Sequence, residues 1–183
     1  STSEPIPLAE GATLYPCPIT TKTSRHDPTE SIPPRQPQDG IRIGVAHGSL
    51  KLPGMHQEDD FPIPTDAGQR RGLDLLIVGH WHSLFFFPSR DRVSILYPGT
   101  HEQTNFGEKD AGHACLVTIR QSGGPIEVRE LPTSVLRWVN LKAPVYQEAD
   151  VERLARELRQ LPERGKTLIS LELEGAAPLS TLE

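Results

Sequence analysis

Three histidines stand where the local sequence turns from apolar to turn-forming. His47 closes the run at residues 41–46, and His80 and His82 follow directly on the run at residues 73–78. Neutral imidazole is the commonest protein ligand of divalent transition metals. If the two runs are neighbouring parallel strands, all three rings lie at the carboxyl-terminal edge of one sheet, where open α/β sheets place their sites. A His-x-His pair in an extended or turn conformation points both rings to one side, and Gly79 lets the backbone bend there. Spacing alone admits two readings. One is structural turn histidines with Trp81 packing beside them. The other is a mononuclear zinc site with three histidine ligands and an open position for water.

The elements that must position these rings are legible as patterns. Ile41-Arg42-Ile43-Gly44-Val45-Ala46 is β-rich and ends in the turn His47-Gly48-Ser49. Leu73-Asp74-Leu75-Leu76-Ile77-Val78 is nearly continuous in apolar residues, which suits a strand buried on both faces. Between them, Thr65 or Asp66 is placed to cap a short helix that Gly72 ends. Beyond the histidines, residues 84–87, 93–97, 114–120, 126–131 and 137–141 read as strands, with Gly123-Gly124 as a hairpin turn. The first long helix is expected at residues 150–161, where Val151, Leu154, Ala155, Leu158 and Leu161 recur at helical spacing. Asp150 is its expected N-cap and Pro162 its stop. Residues 167–173 then alternate as a strand.

Composition bounds what such a framework can do. The chain has 183 residues, of which 36% are apolar, and a formal net charge of −5. The acidic balance removes the signature of a protein that grips nucleic acid by charge alone, although bound metal ions can supply positive charge locally. Most of the 18 prolines precede residue 65, so residues 1–40 read as a proline-rich loop or lead segment, with only residues 12–15 strand-like. Two cysteines without a CxxC, and no leading signal segment, set a reduced, cytoplasmic location as the expectation. No apolar run approaches the roughly 18 residues of a membrane span.

Taken in order, Gly44-Val45-Ala46-His47-Gly48-Ser49, then Gly79-His80-Trp81-His82-Ser83, then Tyr97-Pro98-Gly99-Thr100 resembles the later motifs of calcineurin-like metallophosphoesterases, with the SbcD-type DNA repair exonuclease branch as the nearest match. The resemblance covers about residues 41–141. It implies an α/β fold: half of a metallophosphoesterase β-sandwich flanked by helices at 41–143, followed by the start of a small α/β capping unit at 144–183. It further implies a hydrolase that cuts DNA phosphodiester bonds, an exonuclease or endonuclease of DNA repair, with two divalent metal ions of the manganese type. On this resemblance His47 and His80 bind one metal and His82 the other. DNA is the substrate the nearest branch implies, with another phosphoester left open by the wider family, an SMC-like ATPase of the SbcC type is the implied partner, and a homodimer is compatible with it.

The family's earlier motifs, D-x-H, G-D and G-N-H-[DE], do not occur in this sequence, and with them go the bridging aspartate and the histidine that assists the leaving group. No catalytic residue is therefore assigned within the chain, and the expectation is an incomplete fragment whose complete centre needs residues outside it. Two other classes stay open: a non-catalytic binding module, and the mononuclear zinc hydrolase. Around the histidines, His101, Glu102 and Trp81 are candidates for contact with substrate. The loop with His56, Glu58, Asp59 and Asp60 reads as a solvated acidic segment, His113 as structural, and Arg90, Arg92 and Lys109 as too scattered to form a basic patch.

Overall fold

The computed structural model describes residues 3–54 and 58–176. It is an α/β fold with a mixed sheet and few helices. Strands β1 (Ile6–Ala9), β2 (Ala12–Pro16), β3 (Ile41–His47), β4 (Leu75–Gly79), β5 (Phe85–Phe87) and β6 (Ile95–Tyr97) form one six-stranded sheet in the order β1-β2-β3-β4-β6-β5. The four central strands β2, β3, β4 and β6 run parallel, and β1 and β5 close the edges antiparallel. A one-turn helix, α1 (Ala67–Arg70), lies between β3 and β4, with Asp66 at its N-cap as expected.

The lead segment is more ordered than its prolines predict. Residues 6–9 and 12–16 add two strands to the sheet, and β2 pairs with β3 from Ala12–Ile41 to Pro16–Val45. The prolines are tolerated because Pro7 lies on an edge strand and Pro16 at a strand end, where a missing N–H costs little.

Alternation along the central strands sends side chains into two cores. Leu76 and Val78 of β4 and Ile95 and Tyr97 of β6 join Tyr15, Ile32, Ala46, Leu50 and Ile63 on one face. Leu75 of β4 and Leu96 of β6 meet Val93, Cys115, Val117, Ile126 and Val128 on the other. Leu75, Leu76, Val78 and Ile95 are fully buried, and each such burial contributes roughly 1.5–3 kcal/mol. The continuous apolar run of β4 thus has the cause the sequence suggests, a strand covered on both sides. The cover differs from the expected helices. One face is packed by the antiparallel hairpin β7 (His113–Ile119) and β8 (Ile126–Pro132), and the other largely by loop segments around Ile32, Leu50 and Ile63.

Asp74 fastens the hairpin turn to the sheet. Its carboxylate accepts from the Arg42 amide at 2.8 Å, the Gly123 amide at 2.7 Å and the Ser122 hydroxyl at 2.9 Å. Arg35 stands beside it and donates to the Gly72 and Gly40 carbonyls at 2.8 and 2.6 Å.

The C-terminal part is a β–α–β unit: β9 (Arg137–Pro144), α2 (Glu148–Gln160) and β10 (Thr167–Glu174), with β10 parallel to β9 in unbroken register. The helix begins earlier than its apolar spacing predicts. Gln147 is the N-cap, and Asp150 sits at the third helical position, where it accepts from the Tyr146 and Gln147 amides at 3.1 and 3.2 Å in a capping box. Among the described residues no helix is long and apolar enough to cross a membrane.

Candidate functional site

The register of β3 against β4 sets the geometry. Ala46 pairs with Val78 and His47 with Gly79, so the two histidine motifs leave the sheet side by side at its carboxyl-terminal edge. The rings of His47 and His80 meet edge-on, with centroids 5.3 Å apart and planes at 80°. Burial does most to hold the His47 imidazole below its ordinary pKa, and the adjacent His80 ring adds to this. Asp60 opposes it, and His82 pushes it slightly further down. The shift favours the neutral ring, which has a lone pair to offer.

His80 occupies a φ of 108°, a region that side chains with a β-carbon rarely adopt and that costs of order 1–3 kcal/mol. The bend separates the partners of the two rings in the His-x-His pair. His80 Nε2 lies 2.6 Å from Asp60 Oδ2. His82 Nδ1 lies 2.6 Å from Glu108 Oε1 and 3.3 Å from the Thr104 hydroxyl. The three histidines share one sheet edge as expected, but His82 has its own carboxylate rather than a place beside the His47–His80 pair.

Asp60 reaches His80 because the loop before it is tied down on both sides. The Phe61 amide donates to the Ser24 carbonyl at 2.9 Å, and the Ser49 amide and hydroxyl both donate to the Asp60 carbonyl at 3.0 Å. Gly48 allows this approach, since a β-carbon there would stand 2.1 Å from the Phe61 carbonyl oxygen. Tyr97, fully buried, donates its hydroxyl to the Gly48 carbonyl at 2.9 Å and holds the turn from below. The acidic segment is therefore only partly the solvated loop of the sequence reading: Asp60 turns inward while Glu58 stays exposed. His56 lies outside the described residues.

Glu108 is held by its own loop. The Thr104 amide donates to Oε2 and the Thr104 hydroxyl to Oε1, each at 2.6 Å. Burial pulls this carboxyl upward, but the bonds from Thr104, His82 and the Asn105 amide outweigh it and hold it down at about 2. Neither Glu108 nor Thr104 stands out in the sequence, because their link to His82 spans a loop that no local pattern encodes. For Asp60 the available signal is an acidic residue between two histidine motifs.

The remaining candidates occupy the rim. Trp81 is partly exposed. His101 is exposed, and its carbonyl accepts from the Thr133 hydroxyl at 2.5 Å. Glu102 is engaged within the fold: its carboxylate accepts from the Ser134 hydroxyl at 2.5 Å and the Val135 and Leu136 amides at 2.7 and 3.3 Å. These bonds, the Ser134 hydroxyl foremost, lower its pKa. Arg90 pairs with Glu130 and lies over the Phe86 ring at 4.3 Å, so it does not serve as a free cation.

The donor chemistry suits a divalent transition metal, with a neutral imidazole at His47 and two further imidazoles oriented by carboxylates. As an arrangement it is partial. Among the described residues no group of three or more His, Cys, Asp or Glu side chains is placed to hold a metal ion. No family model matches the chain, and no curated protein matches it at a significant level.

Proposed function

We propose that this chain carries the histidine side of a metallophosphoesterase centre, and that the protein it serves is a metal-dependent phosphodiesterase acting on DNA. The observation that carries the reading is the pairing of His47 with Gly79 across two parallel strands, which sets His47 edge-on to His80. That edge is where α/β folds hold ligands, and the ordered motifs of the sequence stand along it. In this reading His47, His80 and His82 are ligands to manganese-type ions, the other ligands come from residues outside this chain, and the six-stranded sheet is half of a sandwich. A bound divalent ion would activate water and offset charge on the attacked phosphate. The chain's own residues hold and orient imidazoles, and the low positive charge of this face leaves DNA affinity to the metal ions and to an SMC-like ATPase partner.

One observation favours a second reading. Asp60 and Glu108 satisfy His80 and His82 within the chain, as a non-catalytic module with structural histidines would. Calorimetric titration of the chain with Mn(II) separates the two. Saturable binding that weakens at least tenfold in His47→Ala and His80→Ala supports the metal centre. Absence of saturable binding, with melting temperature unchanged by Mn(II) or chelator, overturns it in favour of the module. One Zn(II) per chain with phosphodiester cleavage by the chain alone overturns it in favour of a mononuclear zinc hydrolase.

A further inference from the structure

The C-terminal β–α–β unit carries a strand edge that nothing in its own sequence blunts. β10 pairs with β9 over its whole length, and among the described residues no strand pairs with its other side. The outer strands of the six-stranded sheet are protected. β1 has four residues, Pro7 among them, and an irregular register, and β5 has three. β10 has eight, with neither proline nor bulge. A long, regular edge of this kind is a template for a further strand.

The two faces of the unit differ. On one, the Trp138 and Phe106 rings meet edge-on with centroids 4.6 Å apart, and the Asn140 side-chain amide donates to the Phe106 carbonyl at 3.2 Å. On the same face Lys142 pairs with Glu172 at 2.6 Å and stands 4.0 Å from Glu174. Alternation puts Val139, Leu141 and Ala143 of β9 on the other face, level with Ile169, Leu171 and Leu173 of β10. The β9 residues are half-buried, but Ile169, Leu171 and Leu173 are 38%, 40% and 50% exposed. Cover of the apolar face therefore thins toward the free edge.

We propose that the free edge of β10 binds β10 of a second copy of this chain, antiparallel about a two-fold axis, so that the strands join in one sheet in the order β9-β10-β10-β9. Directly opposed residues in an antiparallel pair share a face, so the apolar stripe meets itself only when the axis passes through a residue and not between two. Centring on Ser170 sets Ile169 against Leu171 of the second copy. It also sets the exposed Lys166, directly before the strand, against Glu174 of the second copy, at both ends of the interface. Centring on Ile169 would pair only residues 167–171, and centring on Leu171 would set no basic residue against Glu172 or Glu174. The Ser170 register alone keeps both the length of pairing and the charge match. This interface stands independently of the metallophosphoesterase reading.

Sedimentation velocity on the full chain over a range of concentrations is the first test, and a monomer–dimer equilibrium is expected. Lys166→Glu sets acid against acid at both ends and should weaken the dimer about fivefold or more. Combining it with Glu174→Lys should restore the dimer. Both positions are exposed, so neither change bears on the core. Ser170→Cys gives a second readout. The two introduced thiols lie on the axis with Cα atoms roughly 4.5–5.5 Å apart, within disulfide reach, and mild oxidation should link the copies. In Leu168→Cys, on the same face, the separation is about 13 Å and no link should form. Wild type, with Cys17 and Cys115, is the background for both. A monomer at every concentration overturns the proposal and means that the edge is covered within one chain. A dimer that Lys166→Glu leaves unchanged, that the charge exchange fails to restore, or that links equally through Leu168→Cys overturns it too, and means that two copies meet elsewhere or in another register.

Discussion

Gly79 stands directly opposite His47 across the β3–β4 pair, and a β-carbon on it would lie 3.1 Å from His47 Nδ1. That is slightly closer than side chains ordinarily approach, and what it meets is a ring atom that can move. Gly79→Ala is therefore expected to displace the His47 imidazole by a few tenths of an ångström while leaving the strand intact. The loss of contact is offset by the roughly 0.5–1 kcal/mol that alanine gains over glycine within a strand. Melting temperature should hardly change, whereas the His47 ring resonances should shift and those of His113 should not. Unchanged His47 resonances would show that the glycine is needed only for the turn after it.

Gly48 poses a harder constraint, because its neighbour is backbone. A β-carbon would stand 2.1 Å from the Phe61 carbonyl oxygen and 2.8 Å from the Phe61 β-carbon, and the Phe61 backbone is itself in the left-handed region at a φ of 50°. Gly48→Ala must push the Asp60–Phe61 segment away, breaking the Ser49 bonds to the Asp60 carbonyl and withdrawing Asp60 from His80. A loss of more than about 2 kcal/mol in chemical denaturation is expected, together with a shift of the His80 ring resonances as Asp60 withdraws. Gly165→Ala, where an added β-carbon meets open space, is the control, and it should stay within about 0.5 kcal/mol of wild type. Equal effects of the two substitutions would remove the steric argument.

These two glycines mark what could and could not be read from residue order. The strands that carry the histidines were legible because their signals are local: the continuous apolar run into β4, the β-branched run into β3, and a turn after each. Tyr97 at the end of β6 was legible for the same reason. Asp60 and Glu108 were not, since each reaches its histidine through bonds made across loops, such as Ser24 with Phe61 or Thr104 with Glu108. β1 is masked by Pro7, which an edge strand accepts, whereas β2 is legible at residues 12–15 and extends one residue further, to Pro16. The start of α2 lies before the position its apolar spacing predicts, because Asp150, a good cap in isolation, serves the chain better from inside the first turn, where it closes on the Gln147 amide. The cover of the sheet's second face by a hairpin instead of helices follows from residues 113–132, whose alternation reveals strands and not where they pack.

Asp74 joins the two layers of the fold, and its ionisation makes that junction depend on pH. Burial raises its pKa, but the amides of Arg42 and Gly123, the Ser122 hydroxyl and the Arg35 guanidinium together lower it below the ordinary value of 3.8. A carboxyl depressed on folding stabilises the native state above its unfolded pKa, and the contribution is lost as pH falls through the folded value. Asp74→Asn keeps the size of the side chain but replaces charge-assisted acceptors with one neutral oxygen and an NH2 group that cannot accept from Gly123 or Ser122. At neutral pH the substitution should cost about 1–3 kcal/mol. The difference between wild type and Asp74→Asn should be constant down to the region of pH 3.8 and shrink progressively below it. Urea denaturation of both proteins from neutral pH downward reads this directly. A difference that persists undiminished well below that region would mean that the carboxylate's charge contributes nothing and that Asp74 acts only through neutral hydrogen bonds.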